Sequence, residues 1–222
     1  MPPNVRARHL SPSDASAVVD VLSDAFADYP VMRYVLGAAG AGNNRIQTLI
    51  GFFVFRRIQL GGPMLGIAGP DGQLAGAAVM TLPEEPEPSA AVLDARDRTW
   101  ALLGDDCRER HDAYGAVAKQ FLVTERHHHL NMIGIRHAAQ GQGLARPLLE
   151  AVLAVAANDS SSGGVSLSTE LSKNVRLYEH FGFSVVGHAP VTPAFDTWGL
   201  FRRTGARPPS PPVGMEPNGA AR

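Results

Sequence analysis

The sequence predicts an α/β domain (α+β in some schemes) whose mixed central sheet of about six to seven strands carries helices on both faces. Three observations lead there. The second half alternates strand, helix, strand, a pattern that joins two parallel strands through a crossover helix. Apolar strand pairs joined by tight turns flank that unit on both sides and add antiparallel neighbours. Of the 222 residues 45% are hydrophobic, ample for one buried core.

The elements follow in order. Val5 to Leu10 alternates as a short first strand. Ser11, Pro12 and Asp14 open a helix with a capping hydroxyl, a proline at the first helical position and an acid near the positive helix end. Its apolar face is Val18, Val21, Leu22, Ala25 and Phe26, and it ends near Asp28 because Pro30 disfavours helix at Tyr29. A second helix spans about Asn44 to Gln59. MLGIA and LAGAAVMTL are strands, and the intervening GPDGQ supplies a fixed proline angle and a left-handed Asp-Gly position. Pro83 to Pro88 reads as an extended linker. A helical stretch from about Ser89 to Phe121 breaks near Gly104 and Gly115. HHHLNMIGI is a strand, Gly141 to Asn158 a helix, VSLSTE a strand and Lys173 to Phe181 a helix. FSVVGH and FDTWGLF close the sheet as an antiparallel pair. One domain over residues 1–204 is expected, followed by a disordered Pro/Gly-rich tail over 205–222 that has little to bury.

Bulk properties narrow the function classes. A formal net charge of −1 offers no general attraction to nucleic acid or to an acidic membrane surface. Cys107 is the only cysteine, which excludes an internal disulfide and a cysteine-rich zinc site and suits a reducing compartment. The most apolar run, Ile46 to Phe55, is too short to span a bilayer and is followed by Arg56 and Arg57. No apolar leader opens the chain. The expectation is a cytoplasmic protein, monomer or homodimer, with neither a nucleic-acid nor a membrane partner.

The stretch QGQGLARPLL, Gln140 to Leu149, places glycines where an apolar strand turns into a helix. A helix start offers unpaired N–H groups and about half a positive charge, and glycines let an anion approach them. Gln140 adds an amide donor and Arg146 a positive charge; a plain strand-to-helix turn is the competing reading. A nucleotide-hydrolase phosphate loop needs Lys and then Ser or Thr after the last glycine, but Leu144 and Ala145 stand there. A dinucleotide fingerprint needs Gly or Ala where Arg146 lies. The pattern that fits is Gln/Arg-x-x-Gly-x-Gly/Ala, met by Gln140, Gly143 and Ala145.

That loop resembles the coenzyme A pyrophosphate loop of the GNAT acetyltransferase superfamily. Downstream, VSLSTELSKNVRLYEHFGF resembles the superfamily's next strand and helix, with Asn174, Tyr178, Glu179, Gly182 and Phe183 at the family spacing. AFADYP, LNMIGI with QGQGLA, NVRLYEHFGF and DTWGLFRR together look like puromycin N-acetyltransferase and its relatives; residues 35 to 125 are only loosely alike.

The resemblance implies a GNAT fold with a V-shaped splay between parallel strands around 130–135 and 165–170. It also implies direct acetyl transfer from acetyl-CoA, a co-substrate, to a small-molecule amine such as a puromycin-like aminonucleoside. Alternatives are a coenzyme A-binding sensor without catalysis and an enzyme acting on protein or peptide amines. The implied coenzyme A contacts are Gln140, Gly141, Gln142, Gly143, Leu144 and Ala145 at the pyrophosphate, Ile133, Gly134 and Ile135 along the pantetheine arm, and Asn174. Asn174 has helix capping as its competing role.

Tyr178 is the candidate acid for the leaving sulfur, since a phenol is protonated at neutral pH; core packing is the alternative. The puromycin-type pattern reads leucine–glutamate–threonine where this chain has Leu167, Ser168 and Thr169. Glu170 lies two places after Ser168, on the same strand face if the strand continues, and is the candidate base unless it is a solvated strand-end charge. Asp28 and Tyr29 are candidate acceptor contacts, as are His127 and His129, which share a strand face. Those two histidines could chelate, but no third ligand is identifiable, so no metal is expected.

Overall fold

The computed structural model describes residues 6–37, 43–121 and 123–205. Val5 of the expected first strand and residues 206–222 of the expected tail lie outside them. The strands are β1 (Arg8–His9), β2 (Met64–Ala68), β3 (Leu74–Met80), β4 (His128–Ile135), β5 (Gly164–Thr169), β6 (Ser184–Thr192) and β7 (Phe195–Arg203). The helices are α1 (Ala15–Ala25), α2 (Pro30–Leu36), α3 (Asn43–Gln59), α4 (Ala90–Leu103), α5 (Asp105–Ala118), α6 (Ala145–Asn158) and α7 (Ser172–His180).

All seven strands form one sheet in the order β1-β2-β3-β4-β5-β7-β6. Among the described residues only β4 and β5 run parallel, joined through α6 as the crossover helix. The other neighbours are antiparallel. This is the mixed sheet that the strand–helix–strand pattern and the flanking hairpins imply.

Strand alternation assigns two cores. Met64, Ala77, Val79 and Met132 face α1, α2 and α3, where Val18, Val21, Leu22, Leu49 and Ile50 are almost fully buried. Leu65, Ala78, Met80 and Leu130 face α6, whose Leu148, Leu149 and Val152 repeat at helical spacing. Gly134 lets α1 lie close against β4: a Cβ there would come within 2.6 Å of the Ala25 Cβ.

The β4–β5 pairing is short. His128, His129 and Leu130 pair with Val165, Ser166 and Leu167, and β4 then runs on to Ile135 without β5. On its other edge, β4 has a register break: Val79 pairs with Met132 but Met80 with Leu130, leaving Asn131 extra. A bulge bends the strand that carries it. Here it sits where the parallel pairing ends, which accounts for the splay between the two strands.

Three local readings need correction. Residues 30–36, given no element from sequence, form α2, with Pro30 at the first helical position. The helix expected from Gly141 begins at Ala145, because Gly141 (φ 76°) and Gly143 (φ 78°) both take left-handed conformations. The break expected near Gly115 does not occur, and α5 runs through it.

Candidate active site

Two hollows open from the splay. One, of about 830 Å³, lies beside the glycine turn and is lined by residues 133–135 of β4, by Gln140, Gly141, Gly143, Leu144 and Ala145, and by one side of α7. The other, a cavity of about 560 Å³, lies under α2, α3 and α5. Phe26, Tyr29, Ile133, Asn174 and Tyr178 line both, so these five form the wall where the two spaces meet.

The turn has the form of an anion cradle. Around the missing Cβ positions of Gly141 and Gly143 there is open space. Left-handed backbone at both glycines carries the chain from the end of β4 to the N-terminus of α6. Arg146 and Lys173 line the same hollow, against one lining carboxylate, Asp28, so among the described residues the lining is net positive. Arg146 also approaches Glu150 at 3.4 Å and lies over the Phe181 ring. The Gln140 side chain donates to the Ile135 carbonyl (3.1 Å), so its amide folds the turn back on β4 instead of standing free. Gln142 braces the turn similarly, through the Ala138 carbonyl. Beyond Leu130 the edge of β4 that faced β5 is free of strand pairing, which suits an extended chain laid along it.

At the meeting wall, Tyr178 is 8% exposed and packs edge-on to Phe183. Burial, with Tyr29 and the Glu170 charge nearby, pushes its phenol well above the ordinary value, so it is protonated at neutral pH. Asn174 is not the cap of α7; Leu171 holds that position. Its amide instead donates to the Thr169 hydroxyl (3.3 Å), tying the helix to the end of β5. The Tyr29 hydroxyl meets the same Thr169 oxygen at 2.9 Å and accepts from the Glu170 backbone N–H. Burial pushes the Tyr29 phenol up to about 12.

Glu170 is not a solvated strand-end charge: it is 6% exposed. Its Oε1 accepts from the Tyr114 hydroxyl at 2.7 Å and from the Thr197 hydroxyl at 2.9 Å. Burial raises its pKa, and these hydrogen bonds pull the other way. Ser166, Ser168 and Glu170 all line the inner cavity.

The three histidines take different places. His127 and His129 line the inner cavity. His128 points to the other face, 1% exposed, between the Thr81 carbonyl (2.7 Å) and Asp159 (3.0 Å), a structural bridge. The His127 Nδ1 contacts the Glu125 carbonyl and the His129 Nδ1 contacts Ser166. Among the described residues no group of three His, Cys, Asp or Glu could hold a metal ion. Asp28 is exposed and lines the hollow beside the turn, not the inner cavity. Cys107 is buried in the helical core and lines neither space.

Sequence reading missed Tyr114, Thr197 and Arg57. Tyr114 and Thr197 reach Glu170 from α5 and β7, at sequence separations of 56 and 27 residues. No local motif announces such contacts.

Residues 113–192, which hold the splay, the turn and α7, match the family model described as the acetyltransferase (GNAT) domain. The whole chain is similar to a solved histone acetyltransferase HPA2 and related acetyltransferase from Corynebacterium glutamicum: TM-score 0.68, 19% identity, 94% of this chain and 99% of that one. It is similar to arylalkylamine N-acetyltransferase 2 from Aedes aegypti, with TM-score 0.64, 14% identity and 89% and 97% coverage. A third similar structure is the polyamine N-acetyltransferase of Drosophila melanogaster, which forms N-acetylagmatine: TM-score 0.57, 14% identity, 89% and 98% coverage. The fold is the GNAT fold.

Proposed function

We propose that this GNAT-fold chain is an acetyl-CoA-dependent N-acetyltransferase that delivers the acetyl group directly to the amine of a small molecule. The observation that carries the reading is the shared wall: the hollow beside the glycine turn and a second, amine-sized cavity meet at Tyr178, Asn174 and Tyr29. A donor with a diphosphate and an acceptor with an amine would meet there. Acetyl-CoA supplies the activated thioester, and the chain supplies everything else.

The backbone from Gln140 through Gly141, Gln142, Gly143 and Leu144 to Ala145 would hold the pyrophosphate, with Arg146 and Lys173 adding charge. Ile133, Gly134 and Ile135 would align the pantetheine arm on the free edge of β4, and Asn174 would fix the end of β5 beside it. Glu170, its Oε1 held by Tyr114 and Thr197, would take the proton that the amine loses as its nitrogen bonds to the acetyl carbon. Tyr178 would donate to the sulfur as the carbon–sulfur bond breaks. His127, His129 and Tyr29 would contact the acceptor. Asp28, on the donor side, would lie near the cradle. With Cys107 away from both spaces, an acetylated cysteine has no place in this scheme.

The sequence resemblance makes a puromycin-like aminonucleoside the first acceptor to try. The test is release of free thiol from acetyl-CoA over a panel of amines that includes puromycin, amine-bearing peptides and polyamines. Acetylation of a small amine is expected. Tight acetyl-CoA binding with no turnover across the panel would instead favour a ligand sensor, and turnover of peptides alone would favour a protein acetyltransferase.

A further inference from the structure

The inner cavity has two chemically unlike ends. Ser166, opposite His129 in the β4–β5 register, and Glu170, just past the end of β5, both line the cavity and lie four residues apart in the chain. At the Glu170 end stands the only carboxylate among the described lining residues. The other ionised lining side chains are Arg56, Arg57 and Lys119.

Arg57 is the informative one. Its side chain is 3% exposed, and one guanidinium nitrogen pairs with Glu85. The second terminal nitrogen is buried and has no hydrogen-bond partner among the described residues. Arg56, which also lines the cavity, pairs with the same Glu85 carboxylate, so two guanidinium groups share one counter-charge and leave this part of the wall net positive. Arg57 lies near enough to His129 for its charge to help hold that imidazole neutral. Much of the remaining wall is apolar and aromatic, with Phe26, Phe53 and Phe121 among its residues.

We propose that the acceptor is an elongated monoamine: a primary amine at Glu170, an apolar aromatic-bearing body, and a far end with an anionic group for the Arg56–Arg57 pair. A second ammonium at the far end would face the Arg56–Arg57 pair, which has only Glu85 as counter-charge, and be repelled, so diamines and polyamines are excluded as good acceptors. This assignment rests on the acetyl-transfer reading and deepens it.

The test uses three probes of equal length on one scaffold: 4-(4-aminobutyl)benzoate, 4-(4-aminobutyl)toluene and 4-(4-aminobutyl)benzylamine. Steady-state kcat/KM should fall in that order, with about tenfold or more between the first and the last. Calorimetric binding to the same full-length protein should give the same order. Arg57→Met should erase the gap between the carboxylate and methyl probes. Should that variant not fold, the wild-type order still decides. A benzylamine probe that binds or reacts as well as the benzoate overturns the proposal and leaves acetyl transfer intact, and binding of none of the three also overturns it. The expected order of affinity without any acetylation upholds the acceptor class and removes the acetyl-transfer reading.

Discussion

Tyr178 and Glu170 occupy one wall of one cavity, and their environments push both pKa values up for the same reason, loss of water. For a proton donor that keeps the proton in place; for a base it delays ionisation. Tyr178→Phe keeps the ring against Phe183 and removes only the hydroxyl. Its turnover should fall by about 10²-fold, while the acetyl-CoA dissociation constant measured by calorimetry stays within about twofold. Normal turnover would take Tyr178 out of the chemistry. Glu170→Gln keeps the shape and loses the base, so kcat/KM should fall by roughly 10²- to 10⁴-fold. In the wild type kcat/KM should rise with pH through the raised pKa of Glu170, and the variant should lack that limb. The stability sign runs opposite. A carboxyl whose folded pKa is raised stabilises the fold below its unfolded pKa, and that stability is lost as pH rises through the folded value. Across that window the urea midpoint of the wild type should fall relative to that of Glu170→Gln, on top of the His129-linked change that both proteins share. At this scale sequence reading went only part of the way. The two-residue offset from Ser168 pointed to Glu170 on the condition that the strand continues, whereas β5 ends at Thr169 and Glu170 follows it in a bend. Its burial, and the hydroxyls of Tyr114 and Thr197, depend on α5 and β7 being brought to it.

Among the elements, the glycine turn matters most to function. Its two left-handed residues have open space beside them, so a side chain there is strained by its backbone angle and would project into the cradle. Gly143→Val should therefore raise the acetyl-CoA dissociation constant by about tenfold or more. Unchanged affinity would remove the cradle assignment. Most strands and helices were legible because alternation and helical spacing are local properties of the chain. The exceptions have local causes as well. α2 is only seven residues long, too short for a periodic signal, and is marked chiefly by Pro30. The late start of α6 follows from two glycines whose left-handed angles no helix continues. The bulge at Asn131, which accompanies the splay, has no glycine or proline to mark it.

Across the whole molecule, the inner cavity is also a liability. Burial, with His127 and Arg57 close by, lowers the His129 pKa from 6.5 to about 4. The unfolded chain then binds more protons than the folded one between those values, so stability is full above the unfolded pKa and falls as pH drops through the folded one. The loss should reach ~3 kcal/mol at most. Urea unfolding at pH 7 and at pH 4.5 should show it, and His129→Gln should flatten the difference; an equal slope in both proteins would place the acid sensitivity elsewhere. The order of residues alone determined the sheet's parallel pair, the glycine turn after β4 and the resemblance to a coenzyme A loop, because each is written in neighbours a few positions apart. Tertiary structure alone decided that the turn's hollow and the inner cavity share a wall. It also decided that Glu170 is buried and held by two hydroxyls, and that Arg56 and Arg57 share the one carboxylate of Glu85 beside the cavity. Those facts join residues from α3, α5, β5, β7 and α7, which are distant in sequence. What the acceptor meets is set by that meeting of elements, and no stretch of the chain contains it.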